Sequence, residues 1–154
     1  GVHLNDLGEP DQRETLIEAL RSADIGVVYC PRASSHFGAP RRLGPHAYRD
    51  LMEAGVPVAL GTDSVINLPE DQAELGLTPW HDAKLLVDRD GLGADSALRA
   101  ITTGGAYVLG LDPSEYAIEP GNRPRGLGIV PIPTKTGSID VFGGGYPPML
   151  IFQA

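Results

Sequence analysis

The chain has 154 residues, of which 42% are hydrophobic, and it carries a formal net charge of −8. This size and apolar content suffice for one packed domain and exclude a wholly disordered chain, but a closed (β/α)8 barrel needs about 250 residues. The acidic balance argues against a nucleic-acid-binding surface, which requires clustered Lys and Arg.

The first regular element in the sequence is a helix. It follows a short apolar stretch at Val2–Leu4 and is predicted to begin at Pro10, where Asp11 and Glu14 form a capping-box-like start. Apolar residues at helical spacing predict its buried face, which consists of Leu16, Ile17, Leu20 and Ala23.

A strand and a long loop follow this helix. Ile25 to Cys30 is apolar on both faces and predicts a buried strand, in which Cys30 serves as a small hydrophobe. Residues 33–44 are rich in Gly, Ser, Pro and Arg and predict a loop, and loops of this length in compact domains are usually functional or mobile. The next helix is predicted to open at Pro45 and to end at Gly55 in the left-handed conformation.

The second predicted strand, Val56 to Leu60, leads into the turn Gly61-Thr62-Asp63-Ser64. A helix is then predicted from Thr78 to Gly91, and another begins at Asp95 or Ser96. The residues of the first of these helices that are expected to pack inward are Trp80, Ala83, Leu86 and Val87.

This order of elements predicts an α/β fold with about three parallel strands joined by helical crossovers. We assign it to residues 1–112. Residues 113–154 form a Pro/Gly-rich tail that could build a small β-layer, with short strands predicted at 126–132 and 139–142.

Asp63 is the strongest candidate for chemistry in the sequence. It follows a buried strand and a Gly-Thr turn, at the edge of a parallel sheet where α/β enzymes keep their active sites. A carboxylate there can act as a metal ligand or as a general base. The alternative is that Asp63 only caps the following turn. Ser64 is interpreted as a turn residue, because no G-x-S-x-G context surrounds it.

The four histidines form no metal-binding pair by spacing, because the sequence contains neither H-x-H nor H-E-x-x-H. His36 follows the strand that ends at Cys30 and is the best placed of the four to contact a substrate, and the alternative is an ordinary loop histidine. His46 and His81 fall in predicted first turns of helices, where exposure to solvent is expected. His3 is interpreted as structural or incidental.

Several segments, taken together, resemble the amidohydrolase superfamily. They are Gly1-Val2-His3-Leu4, Val28-Tyr29-Cys30-Pro31-Arg32, the run from Leu51 to Ser64, and Ala100-Ile101-Thr102-Thr103-Gly104-Gly105-Ala106. They are most similar to the branch that contains cytosine and guanine deaminases, adenosylhomocysteine-type deaminases and triazine hydrolases. The resemblance extends over about residues 1–112 and implies the C-terminal portion of a metal-dependent (β/α)8 barrel, with a small β-domain beside it.

The resemblance also implies roles for individual residues. Asp63 matches the aspartate that ends the eighth strand, binds the divalent metal and accepts the proton of the attacking water. The loop from Pro31 to Ser35 matches the seventh-strand loop, which faces substrate, so Arg32 and Ser34 join His36 as expected substrate contacts. The sequence departs from the branch here, because it reads Ala33-Ser34-Ser35 where Ser-Asn is common.

The cofactor implied by the resemblance is a divalent metal, zinc or iron. The histidine ligands of the family come from earlier strands, and no matching pair occurs in this sequence. We therefore expect a hydrolase of a non-peptide C–N bond in a small cyclic substrate, inactive without its N-terminal part or a partner chain. The expected partners are a small-molecule substrate and further copies of the chain, without nucleic acid or membrane. No signal-peptide pattern opens the sequence, and we expect a cytoplasmic protein.

Two other readings remain open. In a non-enzymatic α/β module, Asp63 would mark a ligand-binding or phosphoacceptor edge, but the acidic pair and the late Lys of a receiver-like domain do not follow the predicted strands. In a structural subunit, the chain would complete a partner's barrel without using Asp63 as a metal ligand.

Overall fold

The computed structural model describes residues 4–68, 70, 76–130, 141–142 and 148–153. The strands are β1 (Val27–Tyr29), β2 (Val58–Leu60), β3 (Gly126–Ile129) and β4 (Met149–Gln153). The helices are α1 (Pro10–Ser22), α2 (Pro31–His36), α3 (Ala39–Leu43), α4 (Tyr48–Glu53), α5 (Pro79–Asp90), α6 (Ala94–Ile101) and α7 (Thr103–Val108). Short 3₁₀ turns occupy Val65–Asn67 and Pro113–Tyr116.

The centre of the fold is a parallel pair of strands. β1 pairs with β2 in the register Val27↔Val58 and Tyr29↔Leu60. Since parallel strands need a crossover, the connection from β1 to β2 runs through α2, α3 and α4. The predicted parallel α/β arrangement is thus confirmed for these two strands. The candidate strand at Val2–Leu4 falls mostly outside the described residues, and Leu4 itself lies in no strand.

The two faces of this sheet differ in what covers them. Val27, Tyr29, Val58 and Leu60 are buried in the main core. The helical side chains of that core include Leu51, Trp80, Ala83 and Leu86. Strand alternation turns Val28 and Cys30 to the opposite face. A Cβ added to Gly61 would lie 2.9 Å from Val28 Cγ1 and 3.0 Å from Cys30 Sγ, so these three positions meet on that face.

Several predicted helix ends are confirmed. The Thr78 hydroxyl accepts a hydrogen bond from the Trp80 amide at 3.3 Å and caps α5, which ends at Gly91 with φ of 64°. Gly55 follows α4 in the left-handed conformation, with φ of 80°. α1 begins at Pro10, but Glu9 is its N-cap and makes no side-chain capping bond, so the expected capping box is wrong.

The buried face of α1 is narrower than its sequence predicts. Leu20 is buried and Ile17 is half-buried, whereas Leu16 and Ala23 are exposed. Ile25 is also 42% exposed, because the strand begins only at Val27.

The predicted loop over residues 33–44 is wrong, because this segment forms α2 and α3. Pro31 and Pro40 lie in the first turns of these helices, where the missing N–H of proline costs no hydrogen bond. Gly38 separates the two helices with φ of 67°. Pro45 does not open the next helix either, since it lies in a bend before the N-cap residue Ala47 of α4.

The tail contains an antiparallel pair of strands, β3 and β4, with an irregularity between Leu127 and Gly128. The strand predicted at 126–132 is observed as β3, over Gly126–Ile129. Of the strand predicted at 139–142, only Val141 and Phe142 are described, and they form a turn. Phe142 is buried with its ring centroid 4.5 Å from that of Trp80, so this turn packs on α5. No helix in the described part of the chain is long and apolar enough to cross a membrane.

A buried ion pair joins α2 to α5. The Asp82 carboxylate is completely buried and accepts hydrogen bonds from Nε of Arg32 at 2.9 Å and from the Arg32 backbone amide at 3.2 Å. Arg32 Nη2 lies 2.8 Å from the same carboxylate and also donates to the Thr78 carbonyl at 3.2 Å. Burial raises the pKa of Asp82, although the bonds from Arg32 act in the opposite direction. The bonds from Arg32 therefore offset part of the cost of removing the carboxylate from water, and burial remains the larger effect on this pKa.

Substitution of Asp82 tests this pair. We expect Asp82→Asn to lower the free energy of unfolding of the intact protein by about 3 kcal/mol or more, because Arg32 is left as a buried charge without a counterion. The matched control is Asp88→Asn on the same helix, which removes an exposed contact with Lys84 and should cost less than about 1 kcal/mol. Urea unfolding followed by circular dichroism measures both. Equal losses in the two variants would contradict a special role for the buried pair.

The contact between α7 and β2 depends on Gly104. A Cβ at this position would lie 2.9 Å from the Arg99 carbonyl oxygen and 3.0 Å from that of Val58. Both neighbours are backbone atoms, so neither can rotate away.

We expect Gly104→Ala to destabilise the protein by about 1–3 kcal/mol, because the overpacking outweighs the better helix propensity of Ala. Gly93→Ala is the control, since a Cβ there meets nothing within 4 Å and the residue has φ of −58°. Thermal unfolding of both variants gives the comparison. A stabilised Gly104→Ala protein would show that α7 does not approach β2 this closely.

Candidate functional site

The candidate site lies at the carboxyl ends of β1 and β2. The Gly61 amide donates to the Tyr29 carbonyl at 2.9 Å, which holds the two strand ends side by side. α2 begins directly after β1, and the turn that contains Asp63 begins directly after β2. Adjacent parallel strands thus bring both loops to one edge, as the sequence predicts.

Asp63 is exposed at this edge, and its backbone has φ of 60°. Asp is among the few residues other than Gly that adopt this left-handed conformation without large strain. The carboxylate is therefore on a fixed turn and reachable from solvent, which is what a metal ligand or a general base requires. A position at the end of a buried strand predicts a partly desolvated carboxylate, whereas Asp63 is exposed.

Ser64 fixes the turn that follows Asp63. Its hydroxyl accepts from the Ile66 amide at 3.4 Å, and its carbonyl accepts from the Asn67 amide at 3.1 Å. Ser64 is the N-cap of the 3₁₀ turn Val65–Asn67, and its interpretation as a turn residue is confirmed. The side chain that caps this turn is therefore next to Asp63 in the sequence.

Cys30 lies beneath the two loops. It is 3% exposed, and its thiol is close to the backbone of Gly61 and Asp63. Burial, with smaller contributions from the carboxylates of Asp82 and Asp63, raises the pKa of the thiol to about 11. Since only the thiolate is a strong nucleophile, Cys30 behaves at neutral pH as the small hydrophobe expected from the sequence.

The expected substrate contacts are in three different surroundings. Arg32 is buried in its ion pair with Asp82, and its Nη1 has no hydrogen-bond partner among the described residues. Ser34 is buried and donates to Asn5 Oδ1 at 2.7 Å. His36 is exposed at the end of α2, with its ring edge-on to Phe37 at 5.1 Å. Of these three side chains, His36 alone is open to solvent, and contact between a substrate and any of them stays a prediction.

Two histidines expected to be exposed are not. His46 is 8% exposed, and its ring stacks on Tyr29 with centroids 3.9 Å apart. It precedes α4 instead of lying in its first turn, so it turns into the core. His81 is half-buried, and its pKa is lowered, mainly by burial and then by the positive charges of Arg32 and Lys84. Its imidazole is therefore neutral at pH 7.

Sequence reasoning missed two buried polar residues near the site, Asp82 and Asn67. Asn67 is 1% exposed, and neither atom of its amide has a hydrogen-bond partner in the part of the chain that the structure describes. A signal existed for Asp82, because it sits between the inward-facing Trp80 and Ala83 of α5. A carboxylate on the buried side of a helix predicts a cationic partner, here Arg32. No comparable signal marks Asn67.

The described residues do not by themselves form a metal centre. Among them, no three His, Cys, Asp or Glu side chains are grouped so that they could hold an ion. His3 lies outside the described residues. A catalytic zinc normally takes three protein ligands, so the single carboxylate of Asp63 is an incomplete donor set.

Comparison with known proteins agrees with the resemblance seen in the sequence. A family model described as "Amidohydrolase family" matches residues 2–123. A curated relative, the 5-methylthioadenosine/S-adenosylhomocysteine deaminase of Teredinibacter turnerae, is 28% identical over 124 residues. This match covers 79% of the chain but 26% of the relative, so the chain spans about a quarter of that protein's length. Because the family match extends over most of the chain and includes both strand-end loops, the chain belongs to the amidohydrolase family.

Proposed function

We propose that this chain is one wall of the active site of a hydrolase that cleaves a non-peptide C–N bond in a small cyclic substrate. Three observations support the proposal: the family match, the deaminase named as a relative, and an exposed carboxylate at the end of a parallel strand. The exposed carboxylate is the main support for the proposal, because hydrolytic chemistry on this architecture would occur at the strand end where Asp63 lies. Deamination of an aminopurine, an aminopyrimidine or a related ring is the specific reaction that we infer.

The role that we assign to Asp63 is proton transfer. Its carboxylate would accept a proton from the water that attacks the ring carbon, and it would then deliver that proton to the departing nitrogen. Asp63 is exposed on a left-handed turn that Ser64 caps, so a substrate at this edge would reach it. His36 is the substrate contact that solvent reaches most directly, while Arg32 and Ser34 would act from the buried side of α2.

A divalent cation, zinc or iron, is part of this proposal, and when bound it would supply a water of lowered pKa. The described residues offer it Asp63 and do not complete a site. The remaining donors would come from the N-terminal part of a (β/α)8 barrel, on the same polypeptide or on a partner chain. We further propose that the assembled enzyme is a cytoplasmic homo-oligomer.

Replacement of Asp63 tests the proposal. We expect Asp63→Asn in the intact protein to lower the rate of ammonia release by about a hundredfold or more, because the amide cannot accept the proton. The substrates to assay are cytosine, guanine and S-adenosylhomocysteine, with metal content measured by plasma mass spectrometry in parallel.

Asp24→Asn is the matched control, since Asp24 is also exposed and also left-handed, with φ of 55°. Asn tolerates this conformation as well as Asp does. A change in backbone conformation would therefore lower the rate of ammonia release alike in both variants. Full activity of Asp63→Asn on a substrate that the wild-type protein deaminates would refute the catalytic role. If the Asp63→Asn protein kept both its activity and its metal content, the chain would only complete the barrel, without Asp63 as a metal ligand.

A further inference from the structure

A cavity of about 400 Å³ lies on the helical side of β1, and Asp63 is not part of its wall. Its lining includes Tyr29, His46, Tyr48, Arg49, Arg89 and Asp90. This volume is within the range of small-molecule pockets and holds a single ring with one substituent.

The charge around this cavity is opposite to that of the whole protein. Residues 25–49 contain four arginines and no Asp or Glu, in a chain whose net charge is −8. Arg32 is neutralised by Asp82, but Arg41, Arg42 and Arg49 of the same segment are exposed. Arg41 and Arg42 lie on α3, next to the cavity residue Pro40.

The arginines that line the cavity are held in place by polar contacts. The Asp90 carboxylate accepts from Arg89 Nε at 2.6 Å and Nη2 at 2.8 Å, and it also accepts from the Tyr48 hydroxyl at 2.9 Å. Arg49 donates to the Asp90 backbone carbonyl, and its guanidinium lies 5.7 Å from the centre of the Tyr48 ring. Two guanidinium groups thus face the cavity with a single carboxylate between them, which leaves an excess of positive charge.

Each guanidinium also makes a side-chain hydrogen bond to a tyrosine of the lining, Arg89 to Tyr29 and Arg49 to Tyr48. Arg89 Nη1 makes a long bond of 3.5 Å to Ser35 Oγ, which a charged oxygen would readily replace. A guanidinium held in a fixed orientation presents a planar fork of donors that matches the oxygen spacing of a carboxylate or a phosphate. The aromatic side chains of the lining favour a ligand that contains a ring. The ring centroid of Tyr29 lies 3.9 Å from that of His46 and 5.5 Å from that of Tyr48, so the three rings form one cluster.

We infer that this cavity is a second binding site, separate from the Asp63 edge, for a small organic oxyanion: a planar ring that carries a carboxylate or a phosphate. Arg49 and Arg89 bind the charged group, and the Tyr29–His46–Tyr48 cluster contacts the ring. The inference does not depend on the proposed hydrolase activity, because no lining residue belongs to the strand-end loop that holds Asp63.

Calorimetric titration of the intact protein tests this site. Benzoate and phenyl phosphate are the probes, with neutral benzamide and ring-free inorganic phosphate as comparisons. We expect saturable binding of the first two, with dissociation constants of about 1 mM or below, and weaker binding of the other two. Equal affinity for benzamide and benzoate would overturn the role of charge, and the absence of binding by either anionic probe would overturn the site.

Two arginine variants separate a built site from a general positive field. We expect Arg49→Gln to weaken benzoate binding about tenfold, through loss of a charge-assisted hydrogen bond. Arg41→Gln removes the same charge from the same segment but lies outside the cavity lining, and it should leave the affinity within about twofold. Equal losses in both variants would refute the site. Both side chains are exposed, so folding is retained, which circular dichroism verifies.

Asp63→Asn serves as the last comparison. Unchanged benzoate affinity in this variant places the probe away from the strand-end loops, whatever the variant does to hydrolysis. A changed affinity would place benzoate at the Asp63 edge and would overturn the second site, while leaving the proposed function standing.

Discussion

The arrangement of the candidate site depends on one buried ion pair, Arg32 with Asp82. Arg32 is the second residue of α2, which begins where β1 ends, and Asp82 is in the first turn of α5. Their contact ties a strand-end loop to a helix fifty residues further along the chain. Because Asp82 is bound through both the side chain and the backbone amide of Arg32, the start of α2 has little freedom to shift. Placement of Ser34 and Cys30 follows from this restraint.

The loop that follows β2 is held by contacts within the loop itself, not by a contact with a distant helix. Ser64 closes the 3₁₀ turn from within, and the buried residues Asn67 and Leu68 anchor its far end. Asp63 is thus held between a paired strand and a capped turn, and it is exposed there. The two strand-end loops are held at the same edge by different means, one by a buried charge pair and the other by hydrogen bonds to the Ser64 hydroxyl and carbonyl.

The sequence predicted those parts of the fold that depend on local chemistry. The Thr78 cap, the left-handed Gly55 and the apolar strands are specified by residues close together in the chain, and they are observed. The α2–α3 segment was expected to be a loop because Gly, Ser and Pro dominate it, yet burial of Ala33 and Ala39 and two proline-initiated turns make it helical. The position of Asp63 at the sheet edge followed from strand order, but the burial of Arg32, Ser34 and His46 arises from tertiary contacts that no single segment encodes.

Gly61 restricts the size of the side chains at positions 28 and 30, which are far from it in sequence. Its missing side chain is the space that Val28 and the Cys30 sulfur occupy from the neighbouring strand. A larger residue at position 61 would have to be matched by a smaller one at position 28 or 30, while a bulkier residue at position 30 leaves no alternative to glycine. Positions 28, 30 and 61 therefore form a single steric unit, and we expect them to change together in evolution, so that the total side-chain volume on this face of the sheet stays constant.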